Sequence, residues 1–203
     1  MPGRRPTGFP LTMSVTNKQE RQHGALRLLE GMLGRSEPLH RLESYDISNM
    51  GSDDIVASMV VFVDGQPSKK DYKRFKLRDM DGPDDYGSMQ QVIERRFAHF
   101  LAGDKGFAER PDALLIDGGQ VHADTVLRQF AAGDAGFSEK PDALLIDGGV
   151  EHAKIAEEVV REFALDIPVY GMVKDDRHRT RALVTADGHE IGISGNQAVF
   201  ALI

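Results

Sequence analysis

The sequence predicts an α/β protein with one mixed sheet, and three observations lead to this fold class. Three segments with the composition of antiparallel strands come first, between residues 41 and 77. Strands and helices then alternate, an order that places parallel strands under a cover of helices. In addition, one segment is written twice in tandem, since Phe100–Gln129 aligns without gaps with Phe130–Val159. The duplication therefore adds one strand and one helix to the simplest such sheet.

The composition of the N-terminal part of the chain predicts a disordered segment followed by a helix. Residues 1–16 are rich in Pro, Gly, Arg, Ser and Thr, a composition typical of disorder. Residues 17–40 form a predicted helical arm, because Leu26, Leu29 and Leu33 recur near helical spacing and Gly34 is a typical helix stop. The remaining residues, 41–203, are expected to form a single domain.

That domain begins with three predicted strands. The first covers Arg41–Ser48, and the second covers Ile55–Val63, a long run rich in β-branched residues. Asp64-Gly65 is a turn signal, so the polar strand Asp71–Leu77 completes a hairpin with the second strand.

Helices and strands alternate after the hairpin. A helix follows the cap signal Pro83-Asp84-Asp85, and its apolar face comprises Met89, Val92, Ile93, Phe97 and Phe100. Each repeat then supplies a buried strand, Ala-Leu-Leu-Ile, and a helical stretch. Pro168–Val173 is one more buried strand, and Ala182–Thr185 with Glu190–Ile193 predicts a small hairpin. Three antiparallel strands, followed by parallel strands with flanking helices, are the order of a ribonuclease H-like fold.

The composition narrows the class of protein. Of 203 residues, 40% are hydrophobic and 28% are charged, as in soluble globular domains. The chain has no cysteine, which excludes disulfides and cysteine-ligated zinc. No apolar run approaches the roughly 20 residues of a membrane helix, so we expect no membrane contact. A cytoplasmic location is the simplest interpretation of a chain that has no cysteine and no apolar stretch behind its basic N-terminus. The net charge of −7 argues mildly against nucleic-acid binding, although local basic stripes can still contact phosphates.

Carboxylates at predicted strand ends are the candidates for chemistry. Asp46 lies inside an apolar strand, where a buried carboxylate is costly unless it is paired or bound to a metal; alternatively, it caps the following turn. Asp117 and Asp147 end the two copies of the repeated strand. If either strand lies parallel to the first, its Asp and Asp46 can share a cation, and oxygen ligands suit Mg²⁺ or Mn²⁺. The alternative is that each Asp-Gly-Gly is a turn after a core strand.

The sequence gives weaker support for a functional role of the other polar residues. Asp84 is better explained as a helix cap, while Asp85 could also reach the carboxylates. His122 and His152 open helices after the glycines and are expected to be surface or capping residues. Two basic segments are candidates for phosphate contact, and the first also fits a charged edge strand that prevents aggregation. The candidate DNA-binding residues in these segments are Lys73, Arg74, Lys174, Arg177 and Arg179.

Six ordered motifs make the chain resemble a known family. They are Tyr45-Asp-Ile-Ser-Asn49, Val56-Ala-Ser-Met-Val-Val-Phe62, Asp71-Tyr-Lys-Arg-Phe75, Gly82-Pro-Asp-Asp-Tyr86, Leu144-Leu-Ile-Asp-Gly-Gly149 and Gly171-Met-Val-Lys-Asp-Asp-Arg-His-Arg-Thr180. Over about 41–203 the chain resembles the C-terminal ribonuclease H-like endonuclease domain of the C component of excinuclease ABC. The resemblance implies a nuclease of bacterial nucleotide excision repair that uses a divalent metal to cut damaged double-stranded DNA 5′ to a lesion. It also implies excinuclease subunits A and B as partners.

The resemblance implies roles for individual residues. Asp46 matches the first catalytic aspartate and Asp85 an additional important acid, while the second catalytic aspartate is Asp117 or Asp147, because the family has Ile-Asp-Gly-Gly once. We favour Asp147, since the run from Gly148 through Thr180 looks most like the family, and we therefore expect copy two beside Asp46, with Asp46 and Asp147 as the metal ligands.

The chain also departs from the family pattern. It ends before the helix that carries a catalytic His, and it lacks both the segment that binds the B component and the helix-hairpin-helix module. The alternative to a nuclease is therefore a catalytically silent DNA- or protein-binding module of the same fold. A third possibility is that the duplication spoils the sheet.

Overall fold

The computed structural model describes residues 23–50, 54–77, 85–134, 136–177 and 179–192. The expected disordered segment 1–16 and the apolar segment 196–203 lie outside these ranges. Within them, a first helix, α1, occupies residues 23–32. The other helices are α2 (Asp85–Leu101), α3 (Gln120–Ala132) and α4 (Val150–Glu162). The strands are β1 (Arg41–Met50), β2 (Asp54–Val63), β3 (Gln66–Pro67), β4 (Lys73–Lys76), β5 (Ala113–Asp117), β6 (Ala143–Asp147), β7 (Val169–Lys174), β8 (Thr180–Val184) and β9 (Glu190–Gly192).

The described strands form one nine-stranded mixed sheet, in the order β3-β2-β1-β5-β6-β7-β8-β9, with β4 also paired to β2. The central strands β1, β5, β6 and β7 run parallel. Antiparallel pairs flank them on both sides. The predicted α/β class, its ribonuclease H-like mixed sheet and the extra strand-helix unit are confirmed.

The two faces of the sheet carry separate cores because side chains alternate along each strand. One face packs α2, α3 and α4 over residues such as Tyr45, Leu114 and Ile146. The other face packs α1 over Leu42, Leu115, Leu145 and their neighbours. Among the described helices, none has both the length and the apolar character that spanning a membrane requires.

The N-terminal hairpin differs in one respect from the prediction. Its turn is as expected, with φ of 50° at Asp64 and 73° at Gly65, the left-handed pair that suits a two-residue hairpin loop. The third strand, however, is shorter than Asp71–Leu77. Residues Lys69–Asp71 form a 3₁₀ turn, in which the Ser68 hydroxyl donates to Asp71 at 2.7 Å, and β4 begins only at Lys73.

The duplicated units lie side by side and lengthen the sheet by one strand. In β5 and β6 the residues pair copy to copy, Ala113 with Ala143 through Ile116 with Ile146. Copy one contacts β1 and copy two contacts β7. The expectation that copy two lies beside Asp46 is therefore wrong. The physical reason is tertiary, because contacts with residues distant in sequence hold copy one, the first unit after α2, against β1, and the second unit packs beside its neighbour in sequence.

Contacts at the strand entrances maintain this order. The Asp112 carboxylate of copy one accepts the backbone N–H groups of His40 and Arg41, both at 2.7 Å. The equivalent residue of copy two, Asp142, instead accepts a hydrogen bond from the Arg110 guanidinium at 2.8 Å and forms an ion pair with Arg35 at 3.2 Å. Equivalent aspartates of the two copies therefore make different contacts. Asp112 joins copy one to β1, and Asp142 joins copy two to copy one.

The close approach of copy two to β7 requires a glycine at position 171. An ideal Cβ there would lie 2.6 Å from the carbonyl oxygen of Gly148 and 3.1 Å from that of Gly149. These are backbone atoms, so relief requires the turn after Asp147 to shift. We expect Gly171→Ala to lower the free energy of unfolding by about 1–3 kcal/mol, measured by urea denaturation.

Gly192→Ala is the matched control for this experiment. Gly192 lies in β9, and an ideal Cβ at that position has no atom within 4 Å. Its substitution is expected to change the stability by less than about 0.5 kcal/mol. Equal losses in the two variants would contradict the close approach of copy two to β7.

Candidate metal centre

Polar side chains from five strands form one row across the sheet. In register, Arg74 of β4 pairs with Ser58 of β2, Ser58 pairs with Asp46 of β1, and Asp46 pairs with Asp117 of β5. The pairing of β5 with β6 continues the row to Asp147. Residues paired in register point to the same face of a sheet. We call these five residues the charged row.

The charged row lies on the α1 face, beyond the part of that face that the helix covers. Along β1, Leu42 contributes to the core under α1, whereas Asp46, four residues further on, is exposed. Its neighbour Tyr45 points to the opposite face and is fully buried. The prediction that Asp46 is buried is therefore wrong, because alternation places it on the uncovered end of the α1 face.

Asp46 and Asp117 interact electrostatically across the β1–β5 pair. Partial burial and then the charge of Asp117 raise the pKa of Asp46 above 3.8, while His122 and Lys174 act in the opposite direction. Two carboxylates that repel each other can be stabilised by a shared cation. Mg²⁺ is commonly bound through one or two carboxylates and keeps several waters, so this pair fits the donor set of such an ion. Within the described ranges, no group of three His, Cys, Asp or Glu side chains has the geometry of a metal site.

Lys174 at the end of β7 connects the two copies of the repeat. Its ammonium lies 2.9 Å from Asp147 Oδ2 and 3.2 Å from Asp117 Oδ1. Partial burial alone would lower the pKa of Lys174, but the hydrogen bonds to Asp147 and Asp117 raise it above its ordinary value. The two repeated aspartates therefore share one internal cation, and Lys174 is in contact with the site residues.

The other candidate DNA-binding residues differ in their availability. Asp175 binds the Arg179 guanidinium at 2.8 and 3.1 Å, and these hydrogen bonds lower the pKa of Asp175 to about 2. Arg177 donates its backbone N–H to the same carboxylate. The Lys73 ammonium lies 5.2 Å from the centroid of the Phe107 ring. Arg74 is exposed within the charged row.

The two histidines that follow the Asp-Gly-Gly turns pack against them. An ideal Cβ at Gly118 would lie 1.7 Å from Nδ1 of His122, and one at Gly148 would lie 1.7 Å from Nδ1 of His152. His122 is only 9% exposed, and the cap residue of α3 is Gly119. The expectation of a surface or capping role is therefore wrong for His122, because its ring fills the space above a residue without a side chain.

Asp85 is placed only in part by the structure. Helix α2 begins at this residue, but its side chain lies outside what is described. Its suggested place near the metal ligands stays a prediction.

A buried ion cluster beneath β1 was not anticipated. The Glu43 carboxylate is fully buried and accepts four hydrogen bonds. Two come from the Arg96 guanidinium, both at 2.8 Å, one from Arg41 at 2.6 Å and one from the Tyr45 hydroxyl at 2.5 Å. Arg96 also donates to the carbonyls of Phe107 and Glu109. Alternation along β1 contained the signal, since Glu43 shares the buried face with Tyr45. The cluster joins β1 to α2 three residues from Asp46.

The profile of one protein family matches the chain twice. It is described as the UvrC RNase H endonuclease domain, and the matches cover residues 30–132 and 122–203. The first match contains copy one and the second contains copy two. The family profile thus aligns with either copy of the repeat.

Curated relatives support the same family. UvrABC system protein C of Caldanaerobacter subterraneus is 44% identical over 79% of the chain, which corresponds to 23% of that protein. The Lachnospira eligens protein of the same name is 39% identical over 93% of the chain, or 27% of its own length. The chain therefore spans about a quarter of the length of these relatives. Among solved structures, endonuclease V of Ciona intestinalis bound to DNA aligns over 83% of this chain and 63% of that one, with 11% identity and a TM-score of 0.37.

Proposed function

Because the chain belongs to the UvrC RNase H endonuclease domain family, we propose that it is a metal-dependent DNA endonuclease domain of nucleotide excision repair. Its substrate is damaged double-stranded DNA, cut 5′ to the lesion, and its partners are excinuclease subunits A and B. The observation that carries the proposal is the pairing of Asp46 with Asp117 at the carboxyl edge of the parallel strands. Open α/β sheets place reactive groups at this edge.

Asp46 and Asp117 are the proposed metal ligands. They stand on adjacent parallel strands in direct register, whereas Asp147 is one strand further from Asp46. A bound Mg²⁺ or Mn²⁺ would supply Lewis acidity toward a phosphodiester oxygen and lower the pKa of a bound water. Asp117 thus replaces Asp147 in the pair that the sequence favoured.

The basic groups around the pair have positioning roles in this proposal. Lys174 holds Asp117 and Asp147 together through its two ion pairs. Arg177 lies in the loop that follows β7 and is proposed to contact the DNA backbone. Arg179 supports that loop through Asp175.

Two measurements test the proposed function. Calorimetric titration with Mn²⁺ should show saturable binding by the unchanged chain and no binding by Asp46→Asn. In the presence of Mn²⁺, the unchanged chain should nick supercoiled plasmid DNA and the Asp46→Asn variant should not. Asp187→Asn is the control, since Asp187 is an exposed acid in the turn between β8 and β9, at the opposite edge of the sheet. Identical titrations of the chain and of Asp46→Asn would refute the metal site.

One observation favours a second candidate, a catalytically silent DNA- or protein-binding module. Lys174 already pairs with both repeated aspartates and offsets one of their two negative charges, and an internal cation reduces the demand of carboxylates for a metal. In that case DNA binding would persist and weaken with salt, while no nicking would occur in Mn²⁺. Nicking that is abolished by Asp46→Ala would eliminate this candidate.

A further inference from the structure

The charged row extends from the proposed metal ligands to a basic edge of the sheet. Arg74 and Asp46 flank Ser58 in register, so two strand spacings, about 10 Å, separate their backbones. All three side chains point to the α1 face. A molecule lying across the strands at Asp46 therefore passes over Ser58 and reaches Arg74.

The surface at that end of the row is concave. A groove of about 470 Å³ lies on β2 and β4, lined by Ser58, Met59, Val60, Tyr72, Lys73 and Arg74. Ser58, Val60 and Arg74 point to the face that carries Asp46, whereas Met59 and its partner Lys73 point to the opposite face. The groove therefore adjoins the charged row at Ser58 and Arg74.

The charge of this surface is positive. The turn and strand from Lys69 to Lys76 contain five basic residues and one acid, Asp71. Asp71 is only 8% exposed, accepts the Ser68 hydroxyl and lies 3.6 Å from the Arg41 guanidinium, so its charge is directed inward. Within the described part of the chain, the exposed Arg74 forms no hydrogen bond or ion pair, unlike Arg179 and Arg181.

We infer that this groove is a second contact for the DNA strand, in which Arg74 binds a phosphate close to the one that lies at Asp46. The inference rests on the proposed function and adds the direction of the strand, which crosses β1, β2 and β4 on the α1 face. A phosphodiester backbone fits because a guanidinium recognises phosphate oxygens, while Ser58 presents a small polar surface between the two contacts. The same basic edge would otherwise serve only to prevent association of exposed strands.

The salt dependence of DNA binding tests this inference. Arg74→Ala in the full chain should bind a fluorescein-labelled duplex about eightfold more weakly at 0.1 M salt, the effect of one lost phosphate contact if affinity follows counterion release. The slope of log K against log salt should become shallower by about 0.9 for duplex DNA. The titrations are made in EDTA, so metal binding does not contribute.

Arg161→Ala is the matched control, because it removes the same charge from the helix-covered opposite face, where Arg161 pairs with Glu157 on α4. Its slope and affinity should equal those of the unchanged chain. Equal slopes for Arg74→Ala and Arg161→Ala would overturn the inference, even if the chain nicks DNA. If Arg74→Ala lost solubility while the salt dependence of DNA binding stayed unchanged, the inference would also be overturned. Arg74 would then serve to prevent association of the exposed edge strand. A reduced slope in a chain that never nicks would support the contact and refute the proposed hydrolysis.

Discussion

Asp117→Asn is expected to abolish Mn²⁺-dependent nicking as completely as Asp46→Asn, whereas Asp147→Asn should retain it. Asp117 is the residue in register with Asp46. Loss of one of two carboxylate ligands should lower the metal affinity by more than the 10- to 100-fold that is typical of changes outside the ligand set. Asp147 lies one strand away, so its loss should change the metal affinity by less than about tenfold. Calorimetry with Mn²⁺ and plasmid nicking measure both effects.

The Asp117 and Asp147 variants are a matched pair. Asp117 and Asp147 occupy the same position in identical nonapeptides, Pro-Asp-Ala-Leu-Leu-Ile-Asp-Gly-Gly, and both carboxylates contact Lys174. A difference between their variants therefore reports position in the sheet and not local sequence. If Asp147→Asn were inactive and Asp117→Asn active, copy two would be the catalytic neighbour of Asp46 in solution.

Arg96→Met is expected to lower the free energy of unfolding by about 3–5 kcal/mol, the cost of removing one partner of a buried ion pair. Arg96 is fully buried and provides two of the hydrogen bonds to Glu43. Its loss leaves Glu43 with Arg41 and Tyr45 only, and it frees the carbonyls of Phe107 and Glu109. Urea denaturation at pH 7 measures the change.

The control for this variant is Arg128→Met, which removes an exposed pair with Asp124 on α3. Pairs of this kind contribute about 0.5 kcal/mol. Similar losses in the two variants would show that the Glu43–Arg96 cluster does not stabilise the domain. Since the cluster lies beneath β1, a partly unfolded Arg96→Met chain should also lose Mn²⁺ binding at Asp46.

The same cluster predicts a pH dependence. Burial alone would raise the pKa of Glu43, but the hydrogen bond and charge of Arg96 and the charge of Arg41 bring it below 4.5. A depressed folded-state pKa contributes stability that is present above the unfolded value and is lost as the pH falls through the folded value. Stability should therefore decrease below pH 4.5, and Glu43→Gln should show a flatter decrease.

Most elements of the fold were accessible from local sequence. The alternation in β1, the β-branched run of β2 and the Asp64-Gly65 turn are encoded within a few residues, so their positions agree with the structure to within a few residues. The third strand was overestimated because the Ser68–Asp71 contact closes a short turn instead of an extended segment. Such a side-chain contact competes with strand formation and is not visible in a hydrophobic pattern.

The site was accessible only in part. Sequence pattern identified Asp46, Asp117 and Asp147 as candidates for one sheet edge and Lys174 as a candidate for phosphate contact. It did not reveal that Ser58 and Arg74 belong to the same row, because antiparallel register depends on the turn between the strands. It also did not separate His122 from an ordinary surface histidine, since the contact with Gly118 arises only when the helix packs over the turn.

By itself, the sequence determined the identity of the repeated strand-turn units and the chemistry of their aspartates, because both follow from local composition. Only the tertiary structure decided which copy lies beside Asp46. Two identical nonapeptides have the same local preferences, so their places depend on contacts with residues distant in sequence. Asp112 fastens copy one to β1 through His40 and Arg41, and Gly171 admits copy two against β7. These long-range contacts make Asp117 the neighbour of Asp46 and leave Asp147 one strand away.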